Sequence, residues 1–273
     1  YVGFTRSLEN NGYAIVQTPL FRDEKGIWRM DYEDMERKLR EEKIHAAVFC
    51  SPHNPTGRVW EREELEKMMA LFEKYEVQIV SDEIWSDIIL PGYRHIPTQS
   101  VSSYAKEHTV ALYAPSKTFN LAGLVGAYHV VYNRTLTDRM SKETSLTHYN
   151  TMNVLSMHAL IGAYSEEGRE WRRELCSMIR ENRDFACDFI EKFLPGLSVM
   201  PAEGTYMLFI DCGKYLAEQG ISLEELERKM WDYGVAVQDG RMFHGESHVR
   251  MNLASPKSRV EEAFRRLKEY VFV

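Results

Sequence analysis

Cysteine is scarce in this chain: Cys50, Cys176, Cys187 and Cys212 stand far apart among 273 residues. No two form C-x-x-C, which excludes a zinc ribbon and a dithiol redox centre. Scattered thiols suit a reducing compartment better than a disulfide frame, so a cytoplasmic location is the expectation. No apolar run approaches membrane-spanning length, and no membrane role is expected. Basic blocks are missing too. The net charge is −7, and Arg172 and Arg173 are flanked by Glu170 and Glu174, so nucleic acid is not an expected partner. Metal-ligand spacing is nearly absent. "HGESH" sets His244 and His248 four apart, but Gly245 lies between them in a pattern that is not helical; no metal is expected.

What is present reads as packed structure. Hydrophobic residues make up 44% and charged residues 27%, a balance that builds cores rather than disorder. The length allows one large or two moderate domains. Apolar runs at 13–20, 45–50, 77–80, 109–114 and 126–132 predict strands. Helical spacing at 31–42 and 61–75 falls between them, with Asp31 as an N-cap and Leu65, Met68, Met69 and Phe72 inward. Alternation of this kind predicts an α/β unit with a mainly parallel sheet. Further on, helices are expected at 151–164, 167–193, 222–233 and 258–270, with short strands around 197–200, 206–212, 235–238 and 248–254. The expected organisation is a large domain over 1–165, then a connecting helix and a smaller α+β domain over 166–273.

Three polar runs follow directly on apolar strands: "SPHNPTG" at 51–57, "SDEIW" at 81–85 and "APSKTFN" at 114–120. Ligands of parallel sheets bind at the carboxyl ends of the strands. Singly each run is weak evidence. A lone lysine is usually a surface residue, an acid after a strand is often a cap, and Asn-Pro-Thr-Gly is ordinarily a turn. Together, Lys117 can form a Schiff base with an aldehyde, Asp82 can keep a pyridine nitrogen protonated, and Asn54 can hydrogen-bond a ring oxygen.

With "NPTG" at 54–57, "SDEIW" at 81–85, "SKTFNLAGL" at 116–124, "EGTYMLFID" at 203–211 and "RMNLASP" at 250–256, the chain resembles the fold-type I pyridoxal 5′-phosphate (PLP) enzymes, the aspartate aminotransferase superfamily. The wording is most similar to the cystathionine β-lyase or C–S lyase branch. The resemblance implies that PLP is the cofactor, that Lys117 holds it and moves the substrate α-proton, and that Asp82 pairs with its ring nitrogen. It implies that Asn54 contacts the ring oxygen, Tyr1 stacks on the ring, Ser116 contacts the phosphate, and Arg250 binds the substrate carboxylate. A small amino-acid substrate and a homodimer follow from the same resemblance. It further implies sequence ahead of Tyr1 in family members, so this chain is expected to be a fragment with the fold's N-terminal part missing.

Two positions depart from the family pattern. Trp85 stands where relatives carry Tyr or His; indole only donates, so it either contacts the ring oxygen or packs as a wall. Val125 stands where aminotransferases commonly have a phosphate-binding arginine, which favours the lyase branch. The expected activity is β-elimination from cystathionine-like amino acids to thiol, pyruvate and ammonia. The alternatives are a PLP-dependent aminotransferase and a non-catalytic regulatory or structural member of the fold.

Overall fold

A computed structural model describes residues 1–144 and 151–273. In chain order it contains α1 (Val2–Asn10), β1 (Leu20–Arg22), β2 (Trp28–Met30), α2 (Tyr32–Glu41), β3 (Ala46–Cys50), α3 (Arg62–Lys74) and β4 (Gln78–Asp82). Then come α4 (Ser103–His108), β5 (Thr109–Tyr113), β6 (Tyr128–Val130), α5 (Arg134–Thr144), α6 (Val154–Ala163) and α7 (Glu166–Phe193). The rest is β7 (Ser198–Val199), β8 (Met207–Asp211), α8 (Gly213–Gln219), α9 (Leu223–Asp232), β9 (Gln238–Asp239), β10 (His248–Asn252) and α10 (Lys257–Arg266).

The first sheet runs β3-β4-β5-β6, with the first three strands parallel and β6 antiparallel to β5. The second is antiparallel, ordered β7-β8-β10-β9. Capping chemistry starts the helices where the sequence places them. The Asp31 carboxylate accepts from Asp34 N at the head of α2, and the Ser165 hydroxyl accepts from Gly168 N at the head of α7. On α3, Glu61 and Glu64 form a reciprocal capping box. Its buried stripe, Leu65, Met68, Met69 and Phe72, closes a core with Met35, Leu39, Val77 and Ile79. Truncating Leu65, which is 0% exposed, would cost about 2–5 kcal/mol.

α7 serves two cores. Cys176 and Ile179 pack with Trp85, Ile88, Leu90 and Met207. Further along, Ala186 and Ile190 join Leu208, Leu226, Val249 and Phe264 under the second sheet. Among the described residues no helix is long and apolar enough to cross a membrane.

Two strand expectations need correction. Residues 13–19 are not a strand; pairing begins only at Leu20, opposite Met30. Tyr13 and Val16 are exposed, and no neighbouring strand takes up the backbone groups of this run. The strand expected at 235–238 shortens to Gln238–Asp239: Val235 and Val237 are buried by side-chain packing, while ladder bonds reach only the last two positions. Helices α1 and α5 went unread; neither buries a residue.

Candidate active site

The three polar runs leave the first sheet at one edge. Cys50 lies opposite Asp82 and Asp82 opposite Leu112, so the strands end level and the loops that follow share a rim. In the first loop the Ser51–Pro52 and Asn54–Pro55 peptides are cis. Gly57 then adopts φ +70°, and a Cβ there would lie 2.5 Å from Ala202 Cβ, so glycine is required by both conformation and contact. Its carbonyl accepts from Glu203 N and Gly204 N at 2.9 Å each. That stitch brings the loop carrying Asn54 against the segment leading into β8.

Lys117 lies in a turn after β5, closed by Phe119 N donating to Pro115 O (2.9 Å) and Leu121 N donating to Ser116 O (3.1 Å). Its ammonium sits over the Trp85 ring, 5.8 Å from the centroid. Among the described residues the amine has no hydrogen bond or ion pair. Asp82 ends β4 and is 7% exposed. One carboxylate oxygen accepts from Ile84 N at 3.1 Å; the other has no partner among the described residues. Burial raises its pKa, the neighbouring Glu83 charge adds to that, and Lys117 opposes it. An unpaired carboxylate in such a position is costly unless a cation completes it.

Arg250 reaches the same rim from β10. Its Nη1 donates to Asn54 Oδ1 at 2.8 Å, and its Nη2 to Gln238 Oε1. Its guanidinium lies over the Phe243 ring, 4.5 Å from the centroid. Gln238 is the cross-strand partner of Arg250 on β9. Trp85 is 3% exposed, wedged among Ile88, Leu90, Cys176 and Ile179, and meets Tyr206 edge-on at 4.7 Å. It forms a wall of the site with its face toward Lys117.

Ser116 is half-buried, and its hydroxyl makes no hydrogen bond among the described residues. The neighbouring Thr118 hydroxyl is buried without a partner. The Tyr1 phenol is an electrostatic neighbour of Arg250, and the Tyr1 ring is 59% exposed and edge-on to Phe4. Thus Asn54, Asp82, Trp85, Lys117 and Arg250 converge, Ser116 flanks them, and Tyr1 lies beside Arg250 with its ring largely exposed.

Burial shifts two neighbouring groups toward their neutral forms. Burial, with the Asp82 charge, pushes the Cys50 thiol up to about 12, and burial takes His53 down to about 4. His244 ends a short turn in the left-handed region (φ 61°) and His248 lies on β10 stacked on Phe209, so the pair is not on a helix.

Sequence reasoning missed Glu83, His95, Tyr113, Gln238 and Phe243. Glu83 accepts from four groups around it. It stood in plain view beside Asp82, but the two adjacent acids look alike in the sequence. Gln238 and His95 are 12 residues from their partners and carry no local signal.

The model of the family described as aminotransferase class I and II matches residues 1–267. The chain is 33% identical to the cystathionine beta-lyase PatB of Bacillus subtilis (strain 168), over 98% of its own length and 68% of the relative's. It is 28% identical to an aspartate aminotransferase of the same organism, over 91% of this chain and 62% of that one. Among solved structures, PLP-containing cystalysin from Treponema denticola superposes with a TM-score of 0.91 at 30% identity, covering 98% of this chain and 68% of the other. The chain thus spans about two thirds of the length of the proteins it matches.

Proposed function

Since the chain belongs to the class I and II aminotransferase family, we propose that it binds PLP at the rim of the first sheet and performs β-elimination on cystathionine-like amino acids. The observation that carries this reading is Asp82: a buried carboxylate with one oxygen unpartnered, in electrostatic reach of the unpaired Lys117 amine. The residues present fit a cofactor with an aldehyde, a basic ring nitrogen and a phosphate. Lys117 supplies the amine, Asp82 the anion for the protonated nitrogen, and Asn54 an amide for the ring oxygen. Ser116 offers a hydroxyl for the phosphate; the stacking role expected of Tyr1 has no support in the placement of its ring, which is 59% exposed.

When bound, PLP supplies an electron sink for the charge left at the substrate Cα. Arg250 pairs its planar fork with the substrate carboxylate. The Lys117 amine would take the Cα proton. Trp85 keeps water from one side of that proton. The Cα–H and Cβ–S bonds break, the thiolate leaves with its electron pair, and water releases the remaining skeleton as pyruvate and ammonium. The likeness to an aspartate aminotransferase supports a second reading, amino-group transfer to a keto acid through the same first steps. Val125, 82% exposed and apolar, offers no phosphate contact and favours the first.

The reading includes a large domain over 1–165 joined by α7 to a small one, and a homodimer. Val154, Leu155 and Ile161 on α6 are 62%, 71% and 66% exposed, an apolar patch that supports association. The four free cysteines support a cytoplasmic setting.

The test is PLP addition, borohydride reduction and peptide mapping, followed by a pyruvate assay on cystathionine. Label on Lys117 with pyruvate formed without a keto acid is the expected result. Dependence on a keto acid would select transfer, and absence of label would overturn the proposal.

A further inference from the structure

The run "SDEIW" carries two adjacent acids, and the fold treats them oppositely. Asp82 keeps one oxygen open, whereas Glu83 is 0% exposed and saturated. Glu83 Oε1 accepts from the Ser81 hydroxyl and from Thr98 N, both at 3.0 Å. Glu83 Oε2 accepts from His95 Nε2 at 2.7 Å and from the Tyr113 hydroxyl at 3.0 Å. A carboxylate only accepts, so His95 carries its proton on Nε2. Burial alone would raise the Glu83 pKa, but His95, Thr98 N and Tyr113 outweigh it and hold it below the usual range.

These four donors belong to three places in the chain. Ser81 is in β4, one residue before Asp82. His95 and Thr98 lie on the segment leading into α4. Tyr113 ends β5, four residues before Lys117. The main chain adds a fifth link, Glu83 N to Leu112 O at 2.9 Å. The Tyr113 ring is in turn stacked on Tyr128 of β6 at 5.4 Å. One carboxylate therefore ties the strand end that carries Asp82 to the strand end that feeds the Lys117 turn.

We propose that Glu83 is a positioning residue: its saturated carboxylate fixes the spacing between Asp82 and Lys117, the two groups that must engage opposite parts of one cofactor ring. This rests on the PLP reading above. A rigid set of supporting bonds behind the contacting groups is how a site holds its geometry, and a displacement of about 1 Å can cost about a hundredfold in function. Glu83 touches neither cofactor nor substrate in this account; it acts through Asp82 and the β5 end.

The experiment measures PLP affinity by titration, the visible circular dichroism of the bound cofactor, and thermal unfolding of the cofactor-free protein. It compares wild type, Tyr113→Phe, Glu83→Gln and the control Tyr215→Phe. Tyr215 donates to Val271 O at 2.9 Å in the core under the second sheet, so Tyr215→Phe loses one phenol bond far from the site, while Tyr113→Phe loses the part-buried one to Glu83. The expected result is similar loss of stability in these two, with PLP affinity lowered about tenfold and the dichroic band changed only in Tyr113→Phe. Glu83→Gln, which keeps shape but replaces one acceptor oxygen by a donor, should weaken affinity further. If Tyr113→Phe and Glu83→Gln bind PLP like the control, with an unchanged band, Glu83 is a fold residue only and the inference fails. A wild-type protein that takes up no PLP would instead overturn the functional reading, and this inference with it.

Discussion

Two charge clusters in this molecule are built on opposite rules. Around Arg58, which is 1% exposed, every charge has a partner. Its Nη1 donates to Glu203 Oε2 at 2.5 Å and to Val59 O, its Nη2 to Glu64 Oε2 at 2.7 Å, and its Nε to Trp28 O at 3.3 Å. Glu64 also accepts from Arg29 at 2.8 Å, and Glu203 from Val59 N at 2.8 Å. Around Lys117 the polar groups are less sheltered, with Asp82 buried and Lys117 and Ser116 half-buried, and they are left open: the amine, one Asp82 oxygen and the Ser116 hydroxyl have no partner among the described residues. A saturated cluster specifies how segments dock. An open one stores unmet electrostatic demand that a ligand can satisfy. The difference locates the site better than charge alone, since both clusters are rich in it.

The largest effect should separate the clusters outright. Lys117→Ala should lower pyruvate release by roughly a thousandfold or more and abolish the reducible linkage. Its cofactor-free melting temperature should stay within about 2 °C of wild type, because the amine makes no hydrogen bond to lose. Arg58→Met should do the reverse. It strands Glu203 without its cation and leaves Glu64 to Arg29 alone, and loss of one partner of a buried pair costs about 3–5 kcal/mol. Urea unfolding measures that loss. An Arg58→Met protein as stable as wild type would remove the contrast drawn here.

The two clusters also differ in how far the sequence revealed them. Lys117, Asp82 and Asn54 could be singled out as candidates because each lies in a polar run at or just past the end of an apolar strand, and strand ends of a parallel sheet collect at one edge. Arg58 follows Asn54 by four residues yet carries no readable role in the sequence; its meaning depends on Glu203, 145 residues away, and no local periodicity reports such a pairing. The same holds for Arg250, readable only through resemblance, whose fork the structure shows held by Gln238 and Asn54. Of the fold, elements with a buried stripe such as α3 could be read almost to the residue, whereas surface helices such as α5 could not. The strand expected at 13–20 failed because apolar alternation describes one strand, and a strand forms only where another lies beside it.

Arg250→Lys sharpens the comparison from the open side. A lysine keeps the charge but loses the fork that meets Asn54 and a carboxylate together. The Michaelis constant should rise about ten- to a hundredfold with a smaller fall in kcat, which steady-state kinetics on cystathionine would resolve. Equal falls in kcat and kcat/KM would mean that Arg250 acts in the transition state rather than in holding substrate.

The smallest effect tests the premise itself, that an open charge costs stability until it is filled. Asp82 has a folded pKa raised above its ordinary 3.8, chiefly by burial. The native state therefore binds that proton more tightly than the unfolded chain does. As pH rises from the ordinary value through the raised one, the unfolded state releases its proton first, and stability falls across that interval. Asp82→Asn cannot ionise, and its side-chain oxygen can still accept from Ile84 N. The variant should match wild type below the ordinary carboxylate range and become more stable by about 1 kcal/mol at neutral pH, with both proteins free of cofactor. Added PLP should stabilise wild type and leave the variant nearly unmoved, reversing the order. If Asp82→Asn is instead less stable at neutral pH without PLP, Asp82 is already paired, and the distinction between the open and the saturated cluster falls.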